Sequence, residues 1–314
     1  MKRIKRTLAA LLIVVLTLAL LGEAVFADNS EQPVWPEEGA IQLSKSAAAV
    51  EGKENTWEVT LGIQGKNYKT TSDVVLVIDN SNSMYDNSRM AKTKAAANAF
   101  VDTLLTEDST TRIALVVYNL NETHTGFYTY ENKAALKHQI DAIAKSRPET
   151  LGGTFTQLGL HTARTLLNSA ESTGQNKSIV LLSDGEPTAS YRIGGSITCT
   201  EDIEFTDYTL FFGVTKYATS NINWATAQIN CNYNKVDGNG EEFVTDAASG
   251  LEITGCKHAS DGGDDYITHG IATIWESNQA KADGTTIYSV ALQVGTNGEQ
   301  VLKACATNPT KGYF

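Results

Sequence analysis

Three oxygen-bearing side chains at alternate positions, Asp79, Ser81 and Ser83, are the residues with the clearest chemical potential. They directly follow residues 74–78, an apolar run rich in β-branched side chains. Such a run is too short for a helix and is typical of a strand buried on both faces in the middle of a parallel sheet. Because ligands bind beyond the carboxyl ends of strands in open α/β sheets, the trio lies where a binding site is expected.

The chemistry of this trio favours a divalent cation. A carboxylate and two hydroxyls are hard oxygen ligands, but they are too few and too weakly charged to enclose a cation alone. Mg²⁺ suits such an incomplete set because it prefers octahedral oxygen coordination and retains several waters, and Mn²⁺ and Ca²⁺ are the alternatives. We therefore expect additional ligands from loops later in the chain.

Two later loops offer such ligands. A pair of glycines allows a tight backbone bend before Thr154 and Thr156, which stand where a helix is predicted to begin. Either threonine could instead cap that helix. Asp184 follows residues 178–182, another apolar run typical of a buried strand, although a lone Asp-Gly pair is also an ordinary turn signal.

In this order the three loops resemble the metal-ion-dependent adhesion site of von Willebrand factor A (vWA) domains. Residues 79–83 match its DxSxS signature, Thr154 precedes Gly159 by the spacing of its second loop, and Asp184 matches the aspartate of its third loop. Thr156 lacks that glycine spacing. The resemblance implies direct coordination by the two serines, direct or water-mediated coordination by the two aspartates, and a contribution from Thr154 in a ligand-competent state.

The resemblance also implies the fold, a Rossmann-like α/β domain over residues 72–314 with a doubly wound, mostly parallel sheet flanked by helices. One departure from the family pattern is Asn82, where glycine is commoner, but asparagine tolerates a left-handed backbone nearly as well. Apolar spacing predicts helices that end near residues 106, 148, 170 and 284, the last with Ile267 on its apolar stripe, and strands at 112–118 and 286–294.

The segment before this domain, residues 28–71, is predicted to be a β-rich flank. Its residues 57–63 alternate between apolar and polar side chains, as in a half-buried strand. Since two strands do not fold alone, we expect other segments to complete this module.

A polar insertion at residues 189–263 departs from a minimal vWA domain and contains β-like runs. It emerges beside the predicted metal site, and it could be either a surface decoration or an arm that contacts the ligand. It holds three of the four cysteines, Cys199, Cys231 and Cys256, which are candidates for disulfide bonds in an exported chain. Cys305 lies on the apolar side of a short predicted helix and is expected to be a buried free thiol.

Residues 1–27 are typical of a secretory signal peptide, with four basic residues, an apolar stretch and small residues before the cleavage point. The alternative is an uncleaved membrane anchor, although the stretch is short for one. The chain has 25 basic and 36 acidic residues, and removal of four basic residues and one acidic residue leaves a net charge of −14. Without a basic stripe, this charge argues against nucleic acids and anionic membranes as partners.

We therefore expect a non-enzymatic adhesion module that binds an acidic side chain of a protein ligand through the cation. The signal peptide, the vWA core and the β-rich flank together resemble the tip adhesins of Gram-positive pili. That resemblance implies a secreted or cell-surface protein, anchored to the cell wall in a longer form that continues beyond residue 314. Its ligand would be an extracellular matrix or host surface protein, or alternatively another envelope or pilus subunit. An enzyme is the third alternative, but none of the catalytic motifs considered occurs in the sequence.

Overall fold

The computed structural model describes residues 41–65, 70–144, 152–200, 206–209, 212–217, 222–238, 243–245, 251–255 and 265–311. The chain divides into two compact units, Met1–Lys69 and Thr70–Phe314. The predicted signal peptide, residues 1–27, lies outside the described residues. Among the helices that are described, none is long and apolar enough to cross a membrane.

The first unit contains an antiparallel pair of strands, β1 (Ile41–Ala49) and β2 (Trp57–Gly65). Because Leu43 lies opposite Ile63 in the register, the alternating apolar residues of both strands share one face. Leu43 and Ile63 are nevertheless 72% and 75% exposed, so the expectation of a half-buried strand is wrong for the described part of this unit. Completion of this sheet by another segment stays a prediction.

The second unit is a layered α/β domain with an insertion. Its strands are β3 (Ser72–Asp79), β4 (Thr111–Tyr118), β5 (Glu122–His124), β6 (Asn176–Ser183), β7 (Ala189–Thr198), β8 (Thr206–Thr209), β9 (Phe212–Tyr217), β10 (Gln228–Gly238), β11 (Phe243–Thr245), β12 (Leu251–Thr254), β13 (Asp265–Thr268) and β14 (Thr286–Ala291). Its α-helices are α1 (Arg89–Leu104), α2 (Lys133–Ala142), α3 (Thr156–Asn168), α4 (Gly270–Ala282) and α5 (Thr296–Cys305).

The central sheet has the strand order β14-β6-β3-β4-β5, in which the first four strands are parallel and β5 is antiparallel to β4. Alternate side chains of β3 enter two different cores, as expected for a central strand. Val75 and Val77 pack with residues of α3, α4 and α5, whereas Val74 and Leu76 pack with residues of α1 and α2. This arrangement confirms the doubly wound, mostly parallel α/β fold.

The insertion forms two further sheets, with strand orders β10-β7-β12 and β11-β13-β9-β8. Strand β13 pairs with β9, so the strands of the inserted sheets extend to Thr268, beyond the predicted boundary at residue 263. Ile267 therefore lies in a strand, and its prediction as part of the following helix is wrong. The helical spacing gives the wrong assignment because Ile267 of β13 and Ile271 of α4 belong to the same apolar cluster. This cluster anchors the insertion on α4.

The cysteines only partly follow the predicted pattern. Cys199 is disulfide-bonded, but Cys231 is a half-buried free thiol, so its assignment to a disulfide is wrong. Cys256 lies outside the described residues. Cys305 is a buried free thiol, as the apolar spacing of its helix predicts.

Candidate metal centre

The predicted ligand residues lie where strands β3 and β6 end side by side in the sheet. Asp79 is the last residue of β3, and Asp184 directly follows the last residue of β6. The two strands are parallel neighbours, so their carboxyl ends lie at the same edge. Ser81 and Ser83 follow Asp79 in the turn that leads into a short 3₁₀ segment, Asn82–Ser88.

Asp79 is fully buried and accepts two hydrogen bonds from uncharged donors. Its Oδ1 accepts from the Ser81 N–H at 2.7 Å, and its Oδ2 accepts from the Ser183 hydroxyl at 2.6 Å. Burial raises the pKa of Asp79 to about 6; the hydroxyl of Ser183 lowers it and the nearby charge of Asp184 raises it further. This carboxylate is therefore costly to keep ionised without a cation beside it.

A chain of hydrogen bonds joins Asp79 to Asp184, through the backbone N–H of Ser81 and the hydroxyls of Ser81 and Ser83. The hydroxyl oxygens of Ser81 and Ser83 are 3.1 Å apart, and Ser83 donates to Asp184 Oδ1 at 2.8 Å. Asp184 Oδ2 accepts from the guanidinium of Arg89 at 2.7 Å. Burial raises the pKa of Asp184 even though Ser83 and Arg89 oppose that shift.

Thr154 lies in a loop that is pinned at both ends. The adjacent Phe155 donates its N–H to the carbonyl of Asn119, just beyond β4, at 3.0 Å. On the other side, Thr154 and Thr188 exchange two hydrogen bonds of 2.9 Å, one to the Thr188 hydroxyl and one to the Thr154 carbonyl. A Cβ placed on Gly185 would lie 3.5 Å from Thr154 Oγ1 and 3.6 Å from the hydroxyl oxygen of Ser83. The second and third loops thus meet the first one at Gly185.

The structure also distinguishes the two threonines. Helix α3 begins at Thr156 with Phe155 at its N-cap, and no side chain forms a cap hydrogen bond there, so the capping alternative is wrong for both. The Thr156 hydroxyl instead accepts a hydrogen bond of 3.3 Å from the buried hydroxyl of Tyr118. Packing explains why residue 159 is a glycine, because a Cβ there would lie 2.6 Å from Tyr118 Cδ1. Since glycine has no Cβ, α3 and the Thr154 loop can approach the sheet closely.

This donor set fits a small hard cation. It offers two carboxylates and three hydroxyls, which are all oxygen ligands of the kind that Mg²⁺ accepts together with water. Within the described ranges no three His, Cys, Asp or Glu side chains form a metal cluster. A site here therefore depends on hydroxyl ligands, and the buried, incompletely compensated Asp79 supplies the observation that favours a cation.

The insertion begins directly beside this centre. Tyr191 of β7 packs edge-on against Phe155, with ring centroids 4.8 Å apart. Farther along, Tyr233 of β10 stacks on His161 at 4.0 Å and donates a hydrogen bond of 2.8 Å to the buried carboxylate of Glu276. These contacts hold the insertion against α3 and α4, next to the Thr154 loop.

Sequence reasoning missed Arg89 and its neighbours in the site. Arg89 stands at the first position of α1, where a basic side chain has no local reason to meet a carboxylate, so no sequence pattern predicts its place in the site. Its other partner, Gln293, lies in a segment that was predicted as the end of a strand, whereas β14 ends at Ala291. A signal that could have found it is the excess of negative charge among the predicted ligands.

Comparison with known proteins identifies the class of this domain. Residues 73–215 match the family model of the von Willebrand factor type A domain. Together with the sheet order, this match shows that the chain contains a vWA domain.

Its relatives include proteins of bacterial pili. The chain is 34% identical over 183 residues to the minor fimbrium subunit Mfa5 of Porphyromonas gingivalis, and this match covers 54% of the chain but only 14% of the relative. The structural match to three N-terminal domains of the type V pili tip protein Mfa5 from P. gingivalis covers 88% of this chain and 53% of the Mfa5 chain, with 24% identity and a TM-score of 0.55. The structural match to the pilus adhesin SpaC from Lactobacillus rhamnosus GG covers 87% of this chain and 32% of the SpaC chain, with 18% identity and a TM-score of 0.53. At these identities the structural likenesses show the fold.

Proposed function

We propose that this chain is the metal-dependent adhesion module of a cell-surface pilus protein, and that it binds an acidic side chain of a protein ligand. The observation that carries the proposal is the convergence of five oxygen-bearing side chains at one edge of the sheet. These are Asp79, Ser81, Ser83, Thr154 and Asp184.

Each of the five residues would have its own role in holding the cation. Ser81 and Ser83 would hold the cation through their hydroxyl oxygens, with Asp79 and Asp184 acting directly or through water and Thr154 joining on the far side. A bound Mg²⁺ supplies an open coordination position for a carboxylate oxygen of the partner. The N–H of Ser81 and the hydroxyl of Ser183 fix the orientation of Asp79, so the site is preorganised before the cation arrives.

The partner is proposed to be an extracellular matrix or host surface protein. The relatives support a location at the cell surface, since Mfa5 is described as a pili tip protein and SpaC as a pilus adhesin. A second candidate is another pilus subunit, which is supported by the description of Mfa5 as a minor fimbrium subunit. The inserted sheets beside the Thr154 loop would supply the contact area that a single metal–carboxylate bond lacks.

A catalytic role is not part of this proposal. Ser190 and His269 form a hydrogen bond of 2.8 Å between Oγ and Nδ1, but their side chains are only 4% and 1% exposed. A substrate has no access to this pair, so it does not favour an enzyme.

Calorimetric titration of Mg²⁺ and Mn²⁺ into the purified chain tests the site. Wild type is expected to bind one cation, and Ser81→Ala to bind it much more weakly. Thr165→Ala, which removes an exposed hydroxyl from α3, serves as the matched control and should bind as wild type does. Equal binding by wild type and Ser81→Ala would refute the site. Adhesion to immobilised matrix proteins or pilus subunits, with and without EDTA, then separates the two classes of partner.

A further inference from the structure

Arg89 is held in the metal centre by several hydrogen bonds. Its Nη1 donates to Asp184 Oδ2 at 2.7 Å and to the Ser83 carbonyl at 3.1 Å. Its Nε and Nη2 donate to the side-chain and main-chain oxygens of Gln293 at 3.4 and 3.2 Å. The Arg89 side chain is 16% exposed and that of Asp184 is fully buried, so the pair is shielded from water.

The charges of this arrangement determine what a loaded site attracts. The carboxylates of Asp79 and Asp184 together cancel the charge of one divalent cation. A site made of these groups alone is neutral once it is loaded, and it has little electrostatic preference for an acidic side chain. The guanidinium of Arg89 leaves the loaded site with one net positive charge, and buried charges act over short distances with little screening.

We propose that Arg89 determines the specificity of the site: it keeps the loaded centre positive and thereby favours acidic ligands, at the cost of weaker cation binding. This inference rests on the proposed function. Arg89 is a positioning and specificity residue, since it touches Asp184 rather than the ligand.

Arg89 need not leave when a cation binds. Asp184 has two oxygens, and only Oδ2 contacts the guanidinium, while Oδ1 accepts from Ser83. The carboxylate can therefore coordinate the cation with one oxygen and accept the hydrogen bond from Arg89 with the other. Gln293 provides two acceptors that retain the guanidinium, and it has a left-handed backbone, with φ of 62°, which is uncommon outside glycine.

The test compares Arg89→Met with Lys92→Met, which removes an exposed positive charge from the same helix. We expect Arg89→Met to bind Mn²⁺ about tenfold more tightly than wild type, because a nearby positive charge and a competing partner of Asp184 are both removed. Lys92→Met should change the dissociation constant less than about twofold, as expected for an exposed charge. Calorimetry gives both values.

Acetate then serves as the carboxylate probe on the Mn²⁺-loaded protein. It displaces metal-bound water, and the relaxation rate of solvent protons falls as it binds. We expect acetate to bind Arg89→Met about tenfold more weakly than wild type, and Arg89→Lys to lie closer to wild type than to Arg89→Met. A purely structural defect would not tighten the binding of Mn²⁺ while weakening the binding of acetate.

The outcomes separate this inference from the proposed function. Failure of wild type to bind Mn²⁺ at all would overturn the proposed function. Binding by wild type with unchanged Mn²⁺ and acetate constants in Arg89→Met would overturn the role of Arg89 alone. If Arg89→Met unfolds, Arg89→Gln serves in its place, because a glutamine amide can still donate to Asp184 Oδ2 but carries no charge. Acetate should then bind Mn²⁺-loaded Arg89→Gln more weakly than Mn²⁺-loaded Arg89→Lys, and equal acetate binding by the two would also overturn the role of Arg89.

Discussion

Replacing Asp79 by asparagine is expected to stabilise the cation-free protein at neutral pH and to leave it less stable than wild type once Mg²⁺ is added. Asp79 is fully buried, and burial is the main reason why its pKa rises from 3.8 to about 6. A shift of this size corresponds to about 3 kcal/mol of destabilisation when the carboxylate is ionised. Asparagine fills the same volume, can accept from the Ser81 N–H and carries no charge.

The sign of the pH dependence follows from this raised pKa. Well below pH 3.8 the carboxyl of Asp79 is protonated in both the folded and the unfolded chain, so it contributes no penalty. As the pH rises through the range between 3.8 and about 6, the unfolded chain releases this proton more readily, and the folded state loses stability. The advantage of Asp79→Asn in EDTA should therefore grow over this range and remain constant above it.

Urea unfolding of wild type and Asp79→Asn measures these differences at acidic and neutral pH, first in EDTA and then with Mg²⁺. A cation at about a thousand times its dissociation constant adds about 4 kcal/mol to a protein that binds it. This gain in the free energy of unfolding should make wild type more stable than Asp79→Asn at neutral pH. A wild type more stable than Asp79→Asn in EDTA would refute the electrostatic reasoning, and an equal gain from Mg²⁺ in both would refute Asp79 as a ligand.

Asp73 provides the matched control at the other end of β3. It is also fully buried, but Arg112 contacts its two oxygens at 2.8 and 2.7 Å, and Ser172 and Gly174 donate further hydrogen bonds. Burial raises the pKa of Asp73, yet these donors outweigh it and hold the pKa below its ordinary value. Asp73→Asn should therefore destabilise the protein at neutral pH, with the loss fading as acid protonates wild type, and Mg²⁺ should not alter this difference.

Three further predictions concern neighbouring groups. Thr154→Ala should weaken Mn²⁺ binding in calorimetry, whereas Thr156→Ala should retain it and lose about 1 kcal/mol of stability with the hydrogen bond from Tyr118; the reverse pattern would exchange their roles. Tyr233→Phe should cost about 1–2 kcal/mol in urea unfolding, because the buried carboxylate of Glu276 loses a donor, and an unchanged midpoint would contradict this. The free energy of unfolding of Cys231→Ser should stay within about 1 kcal/mol of the wild-type value, since Cys231 is a free thiol. A reducing agent should therefore affect both proteins equally, whereas loss of a disulfide at Cys231 would make the variant clearly less stable than oxidised wild type.

The parts of the fold that sequence reasoning predicted correctly are those set by local pattern. The continuous apolar run of β3 reveals a strand buried on both faces, and a polar residue at its carboxyl end marks the edge where ligands bind. The central sheet and its helices follow from repeated runs of this kind. Ile267 shows the limit, since Ile271 and Ile274 of α4 follow it at helical spacing although it pairs in a strand of the insertion.

Features that depend on long-range packing could not be predicted in this way. The contact between Arg89 and Asp184 joins residues 95 positions apart, and the contact with Gln293 spans 204 positions. Neither has a repeating pattern or a spacing rule behind it. The free thiol of Cys231 is a similar case, because a cysteine count limits the possible disulfide pairings without choosing among them.

The two ends of β3 explain why the site lies where it does. Both carry a buried aspartate, but Asp73 at the amino end meets an arginine and two further donors, which satisfy its charge within the protein. Among the described residues, Asp79 at the carboxyl end accepts hydrogen bonds from an N–H and a hydroxyl, whereas the guanidinium of Arg89 is bonded to Asp184. A buried carboxylate without a compensating charge destabilises a fold. The charge left uncompensated at one edge of the sheet is what a cation would neutralise, and it therefore marks that edge as the functional one.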